Sequence, residues 1–287
     1  MKILKRWLGR SKTPDRVLIV STGKSGSTAL FFRLKKSLGP ETVGLFEPEA
    51  ITPALLDDAA QHPVVCKVIL PVEGDVLEQL GNLFSKRILL VRDPRDVLVS
   101  ALLYLSGYHF AWKRSESAIR DAVRLVERKE SHPDEYSVLG LLEALWDDFD
   151  RKRFAEQLDT LTSQVIDIAD GPHPYFVYKY EDLIAGNLAA LEKFLGIPVV
   201  ADDSIDPRFR RVVRTKQAES WRDWLLEEDE RYLRPLFADF MRRFHYPLDD
   251  WTPRAKRVIL PEHGSRYFIK VINERRVGHK LAAVQCS

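Results

Sequence analysis

The chain has 287 residues, long enough for one large α/β domain or two small ones, and 45% of them are hydrophobic, enough for a sizeable core. Its formal net charge is only +2, so there is no global attraction to nucleic acid and local basic clusters carry the meaning. Cys66 and Cys286 offer neither a disulfide framework nor zinc-ligand spacing, and no apolar run approaches the roughly 18 residues that span a bilayer. A reducing, cytoplasmic setting follows as the expectation. The first ten residues are basic, with Ile3, Leu4, Trp7 and Leu8 spaced either for a short interfacial helix or for a frayed terminus. No signal-peptide core or cleavage site accompanies them, which leaves peripheral membrane contact through this segment as the one alternative to a freely cytoplasmic protein.

In chain order, residues 16–21 carry four consecutive apolar residues between turn formers and predict a strand buried on both faces. The polar run Thr22-Gly23-Lys24-Ser25-Gly26-Ser27 follows. Residues 28–38 then show helical spacing at Leu30, Phe31, Leu34 and Leu38. Strands are predicted at Val43–Phe46, Val64–Leu70, 87–91 and 175–178. Helices are predicted at 53–60, 74–84, 94–105 (with proline in the first turn) and 188–195 (closed by Gly196). Residues 115–164 read as mostly helical, with a break near His132-Pro133, and 266–272 as an edge strand or part of a lid. Buried strands alternating with helices predict an α/β three-layer sandwich around a mostly parallel sheet. The division expected is a basic N-terminal segment (1–15), a main domain (16–255) and a C-terminal extension packed on it (256–287).

The loop after the first strand is the sharpest chemical signal. Strand, Gly/Ser-rich loop and helix together present free N–H groups and a positive helix end to an anion. Gly23 and Gly26 permit close backbone approach, Lys24 adds charge, and Ser25, Ser27 and Thr28 add hydroxyls. It is not the nucleoside-triphosphate P-loop: the position that needs its first glycine is Leu18, inside the strand.

Four segments in order give the chain a resemblance to the sulfotransferases that use 3′-phosphoadenosine 5′-phosphosulfate (PAPS). Lys24-Ser25-Gly26-Ser27-Thr28 resembles that family's 5′-phosphosulfate loop. Arg92-Asp93-Pro94-Arg95-Asp96, with Ser100 eight residues after Arg92, resembles its 3′-phosphate segment. Tyr180-Glu181-Asp182-Leu183 followed by Phe194-Leu195-Gly196-Ile197, and Arg214 followed by Trp221-Arg222, resemble its later signatures. The resemblance implies a P-loop-like phosphate site formed by Gly23, Lys24, Ser25, Gly26, Ser27 and Thr28. It also implies Arg92, Ser100 and Arg214 at the 3′-phosphate, Tyr180 at the adenine, and 3′-phosphoadenosine 5′-phosphate (PAP) as product. Tyr180 also reads as a core tyrosine, and Arg95 as a salt-bridge partner of Asp93 or Asp96. The family's adenine-stacking tryptophan is replaced by Ala29, so adenine packing has no assigned residue.

Sulfuryl transfer needs a base for the acceptor proton. The family's small-molecule members are similar at Lys67-Val68-Ile69-Leu70-Pro71, but with histidine where this chain has Ile69. Phe46-Glu47-Pro48 resembles a segment of carbohydrate sulfotransferases, so Glu47 is the expected base, with Glu49 in reserve and Lys67 orienting or neutralising the sulfonate. Enclosure in an apolar, partly closed site would raise the Glu47 pKa toward the working range. The same segment inclines the acceptor toward a carbohydrate or glycolipid, with a secondary metabolite or a peptide tyrosine as alternatives; Tyr104, Tyr108, Phe110 and Trp112 fall where acceptor-facing residues would lie and read equally as core aromatics. His109 follows the Arg92–Ser100 segment, whereas His132 and His173 precede prolines as turn residues. No metal is expected and no metal-ligand cluster stands in the sequence. The alternatives are an ATP-dependent P-loop-type kinase, with Asp93 its one candidate for Mg²⁺, and a nucleotide-binding protein without turnover.

Overall fold

The computed structural model describes residues 15–50, 56, 61–72, 76–202 and 204–285. The expected helix at 53–60 apart from Leu56, the beginning of that at 74–84, residues 1–14 of the basic N-terminal segment and Cys286 lie outside the described residues.

The order of described elements is β1 (Arg16–Thr22), α1 (Ser27–Ser37), β2 (Val43–Phe46), β3 (Val64–Leu70), α2 (Val76–Leu83), β4 (Lys86–Val91), α3 (Pro94–Lys113), α4 (Glu116–Ser131), α5 (Val138–Leu145), α6 (Arg151–Asp170), β5 (Phe176–Lys179), α7 (Tyr180–Ala185), α8 (Ala189–Leu195), α9 (Glu227–Arg243) and α10 (Ser265–Gly278). The strands form one sheet in the order β2-β3-β1-β4-β5, with every neighbouring pair parallel. β1 is central, which is why its apolar run is unbroken: Leu18 and Val20 enter one core cluster, Val17 and Ile19 the other. The edge strands β2 and β5 are only partly buried.

The two clusters define the outer layers. Leu30, Phe31 and Leu34 of α1 pack on one face with Leu183, Leu191 and Leu195 of α7 and α8. Side chains of α3, α4, α5, α6, α9 and α10 cover the other face. Burial of each such leucine or phenylalanine contributes ~1.5–3 kcal/mol.

Parallel register brings the strand ends to a common edge. Thr22 pairs with Leu70, Ser21 with Leu90, Phe46 with Lys67 and Val91 with Lys179. The loops after β1, β2, β4 and β5 therefore open together, placing Gly23–Gly26, Glu47, Arg92 and Tyr180 on one rim. The chain leaves β1 toward β2 and β3 on one side and returns past it to β4 and β5. The carboxyl end of β1 is thus the topological switch point, where open parallel sheets bind ligands.

Two expectations need correction. Residues 266–272 are not a strand but part of α10. Tyr267, Phe268, Val271 and Ile272 are all buried at helical spacing, a stripe too short to be distinguished locally from a strand. The helix expected at 94–105 continues to Lys113. Gly107 lies against α10, where a Cβ would already crowd Val271 at 3.0 Å, so the glycine permits close packing instead of ending the helix. Residues 115–164 are helical with two breaks, and each of the three helices starts at a side-chain cap: Ser115 for α4, Ser137 for α5 and Asp150 for α6. Among the described residues no helix is long and apolar enough to cross a membrane.

Candidate functional site

The phosphate loop is held by its own chemistry. Gly26 is the N-cap of α1 in the left-handed region (φ +87°), and a Cβ there would run into the Tyr180 ring. Lys24 is also left-handed (φ +66°), and Thr22 Oγ1 and Ser25 Oγ share a 2.5 Å hydrogen bond. With glycine at the cap, no side chain satisfies the first N–H groups of α1. Those orphan donors and the helix dipole make this end an anion site. Ser25, Ser27 and Thr28 are buried around it.

Lys24 turns inward. Its Nζ donates to the Val212 carbonyl (2.7 Å) and the Tyr267 hydroxyl (3.2 Å), and lies 3.9 Å from the Tyr104 ring centroid. Burial holds its pKa well below the ordinary lysine range, with Arg214, Arg92, Lys67 and Arg211 pushing the same way. Four of these basic side chains, Lys24, Lys67, Arg92 and Arg214, thus border one crevice. The nearby carboxylates are Asp96, 3.7 Å from Arg92, and Glu47, paired with Lys67. Desolvated like charges repel, and an entering polyanion relieves that repulsion.

Arg92, at the end of β4, is 5% exposed. Its NH1 donates to the Lys24 carbonyl (3.1 Å) and its NH2 to the Gln217 carbonyl (3.4 Å), while its guanidinium lies 4.4 Å from the Tyr180 ring. Ser100, two turns along α3, is buried and lines the same cavity. Arg214 donates to Ser220 Oγ (2.6 Å) and the His263 carbonyl (3.3 Å). Burial lowers its pKa to about 10 against the pull of Asp96. The Nε atoms of Arg92 and Arg214 and the hydroxyl of Thr215 are buried without a partner, so the site holds donors in reserve.

The aspartates of this segment are structural. Asp93 caps α3 and binds Arg95 through both oxygens, as expected for Arg95. Fully buried Asp96 accepts from the Glu219 N–H (2.8 Å), Ser220 Oγ (2.7 Å) and the Trp221 N–H (2.9 Å), so it anchors the 219–221 stretch, whose Ser220 accepts from Arg214. Trp221 lies buried under the Arg95 guanidinium, and Arg222 pairs with Asp250. Glu181 accepts from the Asp93 N–H (3.0 Å) and the Tyr246 hydroxyl (3.0 Å), tying α7 to the start of α3. Tyr180 is buried, donates to the Thr215 carbonyl (3.3 Å), and has its pKa raised by burial.

On the other side of the loop, the Phe46–Lys67 register sets Glu47 beside Lys67, whose carbonyl accepts the Glu47 N–H at 3.0 Å. Lys67 Nζ donates to a Glu47 carboxylate oxygen and to Thr28 Oγ1 (3.2 Å). Burial lowers the Lys67 pKa and the Glu47 hydrogen bond opposes that shift. The Glu47 side chain is 46% exposed, so the apolar enclosure expected for it is absent. Ile69, two residues from Lys67 on β3, lines the same cavity.

The cavity measures about 940 Å³. Its walls include Gly23, Lys24, Gly26, Ser27 and Thr28, then Glu47, Lys67, Arg92, Ser100, Tyr180 and Arg214. Ser25 is buried behind the loop and does not line it. Of the four aromatics open to either an acceptor-facing or a core reading, Tyr104 borders the cavity. Phe110 is in the core, and Tyr108 and Trp112 pack on each other and toward Arg275 and His279. His109 and Glu49 do not line it. Tyr267 had no local signal: it reaches Lys24 only because α10 packs on α3. Among the described residues no group of three His, Cys, Asp or Glu side chains could hold a metal ion.

No protein-family model matches the chain, and no curated protein matches it. Among solved structures, the chain is similar to mouse sulfotransferase SULT7A1 complexed with PAP. The two are 16% identical over 79% of this chain and 84% of that chain, with a TM-score of 0.49.

Proposed function

We propose that this chain is a sulfotransferase that moves a sulfuryl group from PAPS to an acceptor hydroxyl. The observation that carries the proposal is a pair of cationic positions at one crevice, matching the two phosphate-bearing ends of that substrate. Gly23–Thr28 with Lys24 hold the 5′-phosphosulfate at the start of α1, and Arg92, Ser100 and Arg214 hold the 3′-phosphate. The orphaned Nε atoms of Arg92 and Arg214 are the donors such a phosphate would engage. Tyr180 borders the adenine, with Ala29, Leu183, Ile184 and Ile205 as its apolar surroundings in the cavity wall.

PAPS supplies an activated sulfuryl group on its 5′-phosphate. Glu47 takes the acceptor proton as the acceptor oxygen bonds to sulfur on the face opposite the phosphate. The sulfur–oxygen bond to the phosphate breaks, leaving its electron pair on the bridging oxygen. Lys24 and the N–H groups at the start of α1 stabilise that charge. Lys67, held between Glu47 and Thr28, orients the carboxylate and neutralises sulfonate charge. A kinase reading needs a free aspartate for Mg²⁺, and Asp93 is committed to Arg95 on both oxygens.

Calorimetric titration with PAP, ATP and AMP in the absence of metal tests the proposal. Preference for the 3′-phosphorylated nucleotide, weakened in Arg92→Ala, is the expected result. Metal-dependent preference for ATP, or no nucleotide binding, refutes it.

A further inference from the structure

The last helix of the chain, α10, reaches the phosphate loop from outside the sheet. Its start is fixed by another helix. Gly264 has no side chain to cap it, and Glu130 of α4 accepts instead from the Ser265 N–H and from Ser265 Oγ (3.0 Å). Gly107 of α3 then admits α10 at close range, opposite Val271. Two α10 residues bear on Lys24. Tyr267 is buried, and its hydroxyl accepts from Lys24 Nζ at 3.2 Å. Arg275, about two turns further on, donates to the Tyr104 hydroxyl at 3.3 Å, and the Tyr104 ring centroid lies 3.9 Å from the same Nζ.

The remaining contact of Nζ is the Val212 carbonyl (2.7 Å). All three partners are neutral. Burial, with Tyr104 and Glu274, pushes the Tyr267 pKa up against the pull of Arg214 and Arg211, so its hydroxyl keeps its proton. Among the described residues no carboxylate pairs with Lys24, whereas Lys67 has Glu47. A carboxylate would fix the ammonium and cancel its field. A carbonyl, a hydroxyl and a ring face fix it and leave the field for an anion. A lysine held in this way also loses less rotamer freedom when the anion arrives. Tyr267 does not line the cavity, so whatever it does to a ligand passes through Lys24.

Resting on the placement of the 5′-phosphosulfate at Lys24, we propose that Tyr267 is a positioning residue for that lysine. Through Tyr267 directly, and through Arg275 on Tyr104, α10 holds the ammonium ready for the 5′-phosphate oxygen on which charge develops. The charged groups around Lys24 are Lys67 on β3, Arg92 after β4, and Arg211 and Arg214 on the stretch after η-turn residues 207–210, and all of them disfavour its protonated form. The phenols facing it are Tyr104 of α3 and Tyr267 of α10. Removing the Tyr267 hydroxyl takes an acceptor from the ammonium and leaves that repulsion unopposed at this position, so the protonated form becomes less favourable.

The test uses the full chain with isotope-labelled lysine, the Lys24 resonance being assigned with Lys24→Arg. Calorimetric titrations with PAP and with adenosine 3′-monophosphate are run across pH in parallel. Tyr267→Phe keeps the ring and is expected to move the Lys24 titration midpoint down by about one pH unit. The decline of PAP affinity with rising pH should move down with it. Adenosine 3′-monophosphate, which lacks the 5′-phosphate, should show no such displacement. Phe268→Leu, a change at the buried neighbour in the same helix, should leave the midpoint in place. An unchanged midpoint in Tyr267→Phe overturns the proposal. So does an equal shift in Phe268→Leu, or an equal displacement for adenosine 3′-monophosphate. Absence of PAP binding by the unmodified chain overturns the nucleotide assignment and the role built on it, and the midpoint alone then decides whether Tyr267 holds Lys24.

Discussion

Gly26→Ala probes the coupling between the phosphate loop and the Tyr180 segment. At φ +87° an L-residue costs ~1–2 kcal/mol. The added Cβ also overlaps the Tyr180 ring, whose Cδ2 and Cε2 are its nearest neighbours. Because Tyr180 is 4% exposed and stacked under Arg92, it cannot swing clear, and overpacking of this kind costs ~1–3 kcal/mol. The sum is about 2–5 kcal/mol of unfolding free energy, read from urea denaturation followed by tryptophan fluorescence. Gly23→Ala is the control: no atom lies within 4 Å of its Cβ, so its effect should stay within about 0.5 kcal/mol. Adding Tyr180→Ala to Gly26→Ala should recover the overlap and leave the backbone cost, giving a coupling of ~1–3 kcal/mol in a double-mutant cycle. A Gly26→Ala protein as stable as Gly23→Ala would refute the reasoning, as would strict additivity with Tyr180→Ala.

Glu47→Gln keeps the Lys67 contact but cannot accept a proton. It should lower kcat by ~10²-fold or more while PAP affinity stays within about twofold; unchanged turnover would remove Glu47 from the mechanism. Lys24 gives a pH signature. Its pKa is depressed in the free protein by burial and by Arg214, Arg92, Lys67 and Arg211, and a bound anion raises it. Affinity for PAP should therefore be complete below the free-state pKa and decline as pH rises through it, with net proton uptake on binding. Calorimetry in buffers of different ionisation enthalpy should detect that uptake in the unmodified chain and not in Lys24→Ala; proton release on binding would contradict it. Asp96→Asn turns an amide donor toward the donors that Asp96 now satisfies. It should cost ~1–3 kcal/mol in urea denaturation and weaken PAP binding through Arg214; full retention of both would show that Asp96 does not anchor the 219–221 stretch.

The strands, the phosphate loop and the helix after it were legible locally because each is encoded by neighbours in sequence. A four-residue apolar run is enough for a central strand, and a glycine before a helical stripe is enough for the cap at Gly26. Arg92 and Tyr180 were legible for the same reason, since a residue following a parallel strand must lie on the ligand-binding edge. The sequence did not reveal that Gly107 would let α3 run on beneath α10, or that 266–272 would coil, because both follow from the packing of one helix on another. Side-chain environment escaped it too. Glu47 stands at the expected rim, yet how open it is depends on what covers β2, an edge strand.

The composition and order of the chain thus determined an α/β sheet with a phosphate loop at its carboxyl edge, since hydrophobic period and turn chemistry act over a few residues. Tertiary structure alone decided how that edge became a site. Tyr267 meets Lys24 across 243 positions, and Asp96 holds Ser220 across 124. The cavity wall draws on α3, α5, α6 and α9, which no local pattern assigns to one another. Such contacts are set by which faces pack together, and burial on one shared core fixes that only when the whole chain has folded.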